Sequence, residues 1–110
     1  KWGCLIFCYI YEADIKNDIV KCFEKLVDLE IIDEECFVKD ANRLLKFFGS
    51  EKRVVRGVND KGNTIVPYKR GSYEHFVVVD ANKNIVFNSL ENSQCAKYGE
   101  PNWEKARYLM

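Results

Sequence analysis

No sign of charge predominates in this chain. Seventeen lysines and arginines balance seventeen aspartates and glutamates. Nucleic acids and anionic membranes are held by clustered basic charge, and the only tight basic groups, Glu51-Lys52-Arg53 and Lys69-Arg70, read as solvated surface. Neither class of partner is expected. There is no CxxC pair, and the cysteines Cys4, Cys8, Cys22, Cys36 and Cys95 are odd in number. That excludes a simple disulfide framework and suits a reducing, cytoplasmic setting with most thiols packed as small hydrophobes. No apolar run reaches the ~18–20 residues of a membrane span; the longest is Cys4 to Tyr11. With a single histidine and scattered cysteines the spacing for zinc is missing, so no metal or cofactor is expected. Repeats, low-complexity segments and linkers are also lacking, so residues 1–110 read as one domain. The chain begins at Lys1 without a methionine, and any targeting signal would lie before it.

What is present is apolar and aromatic: 47% hydrophobic residues, 14% of all residues aromatic, enough for a packed core. The run from Lys1 to Tyr11 is apolar on every side and reads as a buried helix, with Gly3 as its hinge or cap and Trp2 as core. From Ile15 to Leu29 the residues Ile15, Ile19, Phe23, Leu26 and Val27 share one face of an amphipathic helix. Ala41, Leu44, Leu45 and Phe48 recur at helical spacing before Gly49, predicting a third helix over about 40–48. Beyond Gly49 the period becomes that of strands: Arg53–Val58, a turn at 59–63, and Thr64–Tyr68, where Pro67 implies a strand end or edge. After a polar loop containing Gly99, a short helix starting at Pro101 is expected to bury Trp103 and Ala106. The pattern is α+β, helices first and a mostly antiparallel sheet second.

The only histidine, His75, begins the β-branched run Phe76–Val79. Asp80-Ala81-Asn82-Lys83 is turn material, and Ile85–Phe87 resumes the strand pattern. A four-residue loop over 80–83 pairs Val79 with Asn84 and, counting outward, His75 with Asn88 on one face of the hairpin. A two-residue loop keeps them on that face as diagonal neighbours. An odd-length loop without a bulge separates them onto opposite faces. Each residue also has a plainer reading: His75 as a hydrogen-bonded structural residue, Asn88 as a turn residue held by its own side chain.

A thiol becomes nucleophilic near neutrality at a helix N-terminus beside an imidazolium. Cys4, directly after Gly3, meets the first condition, and Cys8 packs one turn below it. Cys4, then His75 on a strand, then Asn88 on the next strand resembles the order of the papain-like cysteine peptidases. The closest likeness is to the branch that processes bacteriocins behind double-glycine leaders. It rests on Gly3-Cys4, a two-helix elaboration from Ile15 to Phe48, His75-Phe-Val-Val-Val79 and Val86-Phe87-Asn88-Ser89, and covers about residues 2–90. The lysine-, asparagine- and isoleucine-rich composition also resembles a family from Borrelia spirochaetes grouped with that fold. The resemblance implies Cys4 as nucleophile, His75 as general base and Asn88 as the residue orienting the imidazole, acting on a peptide or protein substrate. Two features depart from the pattern. Such enzymes usually draw a second oxyanion donor from a glutamine several residues before the cysteine, where this chain has only Lys1-Trp2-Gly3. They also carry small or polar residues after the cysteine, where Leu5, Ile6 and Phe7 are bulky. The alternatives are an inactive papain-like interaction module of phage or plasmid origin, and a peptidoglycan endopeptidase using the same residues.

Overall fold

The computed structural model describes residues 4–90 and 93–110, with the backbone alone at Gln94. Trp2 and Gly3, read as core and helix hinge, lie outside the described residues. Helix α1 spans Cys4–Glu12. It buries Ile6, Cys8 and Tyr9 but leaves Phe7 40% and Tyr11 43% exposed. The apolar run is thus not buried all round: one face meets the core and the other faces outward.

Helix α2 is Ile19–Asp28, four residues shorter at its start than the periodicity implies. Asp14 turns the chain at φ 54, and Asp18 caps the helix by accepting from Val20 N at 3.0 Å. A side-chain acceptor at that position satisfies one of the free first-turn N–H groups. Ile15 still packs on the core, from a turn rather than from the helix. Helix α3, Ala41–Phe47, starts at the cap Asp40, whose carboxylate accepts from Arg43 N. It stops before Gly49 at φ 80, the left-handed turn that glycine adopts without steric cost.

Among the described residues six strands follow: β1 Val54–Arg56, β2 Thr64–Arg70, β3 Tyr73–Val79, β4 Ile85–Phe87, β5 Glu100–Pro101 and β6 Arg107–Leu109. Every pairing is antiparallel, in the order β1-β6-β2-β3-β4, with β5 on β2. β1 and β2 are therefore not a hairpin, because the C-terminal strand β6 lies between them. Helix α4, Gln94–Tyr98, occupies what reads in sequence as polar loop. Pro101 belongs to β5 rather than to a helix start, and Trp103–Lys105 form a 3-10 turn capped by Asn102. Ala106 is buried as expected, at 1% exposure, whereas Trp103 is only half-buried.

Pro67 sits in the middle of an interior strand, contrary to its reading as an edge residue. Its carbonyl accepts from Asn102 N at 2.9 Å. A strand residue's N–H and C=O point to the same neighbour, so the missing N–H falls opposite the break between β5 and β6.

Alternation along β2 and β3 splits the core between two faces of the sheet. Ile65 and Val78 pack with Leu26, Leu44 and Leu45 under α1, α2 and α3. Val66, Val77 and Val79 pack on the other face with Ala96 of α4 and Trp103.

Candidate active site

β3 follows β2 through the two residues Gly71-Ser72, with Gly71 at φ 62. That hairpin sets Tyr68 directly opposite His75. Tyr68 is a neighbour that sequence reasoning missed, although Gly-Ser between two strand patterns was the available signal. Burial pushes the Tyr68 hydroxyl pKa up.

The second hairpin departs from the expected register. Val79 pairs with Ile85, not Asn84, so the loop spans five residues, 80–84. Asp80 holds it closed: its carboxylate accepts from Asn82 N and Asn84 N, each at 2.9 Å, and Lys83 takes φ 67. A bulge at Val86 then brings Val78 opposite Phe87. An odd loop alone would have reversed the faces, and the extra residue reverses them back. Continuing that register, Asn88 lies opposite Val77, a diagonal neighbour of His75 on the same face rather than its direct partner.

His75, 6% exposed, places Nε2 at 2.6 Å from Asn88 Oδ1. The same oxygen accepts from Leu90 N at 3.0 Å. A backbone N–H can only donate, so this second bond fixes which end of the amide is oxygen. Nε2 is therefore the donor, and in the neutral ring Nδ1 is the basic nitrogen. Asn88 is a turn residue and an imidazole partner at once. Among the described residues Nδ1 has no partner, and no buried side-chain nitrogen or oxygen lacks one.

Cys4 opens α1 and is half-buried. It lines a pocket of about 330 Å³ with Leu5, the turn residues Cys36, Phe37 and Val38, and Ser72 to Glu74 and Phe76 at the start of β3. Glu74, on the rim, is paired with Lys105 Nζ at 3.1 Å. This offsets a bare negative charge that would oppose a thiolate. The pocket reaches β3 through the residues on either side of His75. By strand alternation His75 itself turns to the opposite face with Val77, and no hydrogen bond joins Cys4 Sγ to the ring. The structure unites His75 with Asn88 and brings Cys4 to the same end of β3, one strand face away.

Comparison with family models, with curated proteins and with solved structures finds no match. The chemistry has to be read from the residues themselves. Cys8 is fully buried, and burial, then the neighbouring Cys4, push its thiol well above the ordinary range. It stays protonated and is no nucleophile. Among the described residues no group of three or more His, Cys, Asp and Glu could hold a metal, and no helix is long and apolar enough to cross a membrane.

Proposed function

We propose that the protein is a papain-like thiol hydrolase that cleaves a peptide or other amide bond, with Cys4 as nucleophile, His75 as general base and Asn88 orienting the imidazole. The observation that carries this reading is the 2.6 Å bond between His75 Nε2 and Asn88 Oδ1. It leaves Nδ1 as the basic nitrogen of the neutral ring, the one that can take a proton. In the reaction Nδ1 takes the Cys4 proton and the thiolate adds to the substrate carbonyl. The first backbone N–H groups of α1 receive the developing oxyanion, and the imidazolium returns its proton to the departing amine. Water then hydrolyses the thioester with the imidazole as base.

The step from thiol to ring requires α1 and the start of β3 to shift against one another when substrate fills the pocket, so that Cys4 Sγ and His75, on opposite faces of the strand here, meet around its Ser72 end. The missing Cys4–His75 bond also favours a second reading, an inactive module of the same fold that binds a peptide in the Cys4 pocket.

Alkylation kinetics separate the two. As a hydrolase, the protein is carbamidomethylated by iodoacetamide first at Cys4 near neutral pH, and His75→Gln slows that reaction about ten-fold or more by removing the base that forms the thiolate. Circular dichroism checks that the variant is folded. Equal rates in both proteins, or labelling of Cys22 or Cys95 ahead of Cys4, would leave only the binding module.

A further inference from the structure

Cys4 is not alone in its pocket. Cys36, from the connection between α2 and α3, lines the same cavity of about 330 Å³. It sits at the tip of a small turn in which Ile32 bridges Val38. Asp33 closes that turn: its carbonyl accepts from Cys36 N, and its carboxylate accepts from Glu35 N and Phe37 N. Cys36 adopts φ 69 there. Glycine or asparagine takes this left-handed conformation readily, whereas other side chains pay roughly 1 kcal/mol or more. A thiol is thus held at a backbone position that suits few residues, facing the pocket that Cys4 enters from α1.

We propose that Cys4 and Cys36 are a redox pair that closes to a disulfide under peroxide. The Cys4 sulfur attacks one oxygen of hydrogen peroxide. The O–O bond breaks, hydroxide leaves and takes up the thiol proton as water, and Cys4 becomes a sulfenic acid. The Cys36 sulfur then attacks the Cys4 sulfur, forming the S–S bond as the S–O bond breaks and a second water departs. Two thiols and one peroxide give one disulfide and two waters, with each sulfur oxidised by one electron.

A disulfide needs Cα atoms roughly 4.4–6.8 Å apart, and the pocket that both thiols line is the space the bond would close. Cys8 is the competing thiol, one helical turn below Cys4. It is fully buried, its side chain runs parallel to that of Cys4 along the helix, and burial keeps it protonated. Cys36 is therefore the resolving thiol. The disulfide would fill the pocket and withdraw the Cys4 sulfur, giving a reversible block; only that consequence rests on the hydrolase reading, since the bond itself forms whether or not Cys4 is catalytic.

The full chain is treated with one equivalent of hydrogen peroxide. Free thiols are capped with N-ethylmaleimide, and the unreduced digest is mapped by mass spectrometry. The expected product is a Cys4–Cys36 linked peptide, lighter by two hydrogens and restored by dithiothreitol. In Cys36→Ser the link disappears and dimedone traps a sulfenic acid at Cys4, while Cys8→Ala leaves the link intact. A Cys4–Cys8 link, a bond between two chains, or a Cys4 sulfenic acid that persists in the parent protein would each overturn the pairing. Loss of His75-dependent alkylation with the link still formed would sink the hydrolase reading alone.

Discussion

Replacing Asn88 with alanine removes one oxygen that serves two donors, His75 Nε2 at 2.6 Å and Leu90 N at 3.0 Å. The ring is 6% exposed, so its abandoned donor cannot recover a full water bond, and an unpaired buried donor costs about 1–3 kcal/mol. Leu90 N lies at an exposed turn where water substitutes, which adds only a few tenths of a kcal/mol. The expected destabilisation is about 1–3 kcal/mol, or roughly 4 °C of Tm per kcal/mol for a domain of this size. The more diagnostic readout is the tautomer. Because His75 is the chain's only histidine, nitrogen-15 NMR shows a single imidazole without assignment. In the parent protein the neutral ring should carry its proton on Nε2. In Asn88→Ala that preference weakens and the Nδ1–H form gains population. A parent ring protonated on Nδ1 would refute the reasoning, as would a variant that changes neither tautomer nor stability.

Alkaline stability should fall in a defined window. Burial raises the pKa of Cys8, Tyr9 and Tyr68 in the fold, partly offset at Tyr9 by a hydrogen bond from Arg107. Above the ordinary values of 9.0 for the thiol and 10.0 for the hydroxyls the unfolded chain gives up protons that the folded chain keeps. Stability is level in these groups below pH 9, then drops by up to about 1.4 kcal/mol per pH unit per proton. Urea midpoints between pH 7 and 11 measure it, and Cys8→Ala should remove the earliest part of the decline. At Gly99 an added methyl group would meet Cys95 O at 2.4 Å and Lys69 O at 2.6 Å, both backbone atoms that cannot rotate away. Gly99→Ala is expected to cost about 1–3 kcal/mol by prising α4 from β2; a variant melting with the parent would show that this contact yields easily.

The α+β plan was legible because α3 and most of α2 announce themselves through apolar spacing and Gly49 follows α3, whereas α1, apolar on every side in sequence, is read as a helix from Gly3 and the Glu12-Ala13-Asp14 after it, and α4 lies in what reads as polar loop. The start of α2 was not, since Ile15 continues the helical spacing while packing on the core from a turn. Local pattern recognises an apolar position but not the backbone that delivers it. The insertion of β6 between β1 and β2 pairs Val54 with Leu109, and three residues with no alternation to speak of do not advertise so distant a partner. Pro67 was legible as a missing donor but not as an interior residue, because the break that accommodates it is made by Glu100 to Arg107 on another part of the chain.

The candidate site shows the same division more sharply. That His75 and Asn88 share a face depends on parity, and parity is decided by two local features that cancel: a five-residue loop and the bulge at Val86. Sequence reasoning reached the correct face through a four-residue loop, so its agreement on the face came from two offsetting errors in register. The consequence is physical. Had Val86 entered the ladder opposite Val78, Asn88 would lie opposite Phe76, turned toward the α1 face, and the imidazole would lose its acceptor with neither residue changed. A side-chain pair set by register is only as secure as the turn that sets it. Here that turn is Asp80, whose carboxylate and backbone hold the loop with four hydrogen bonds to Asn82, Lys83 and Asn84. Asp80 therefore belongs to the site in the sense that matters for its geometry, although it touches none of the groups that would do the chemistry.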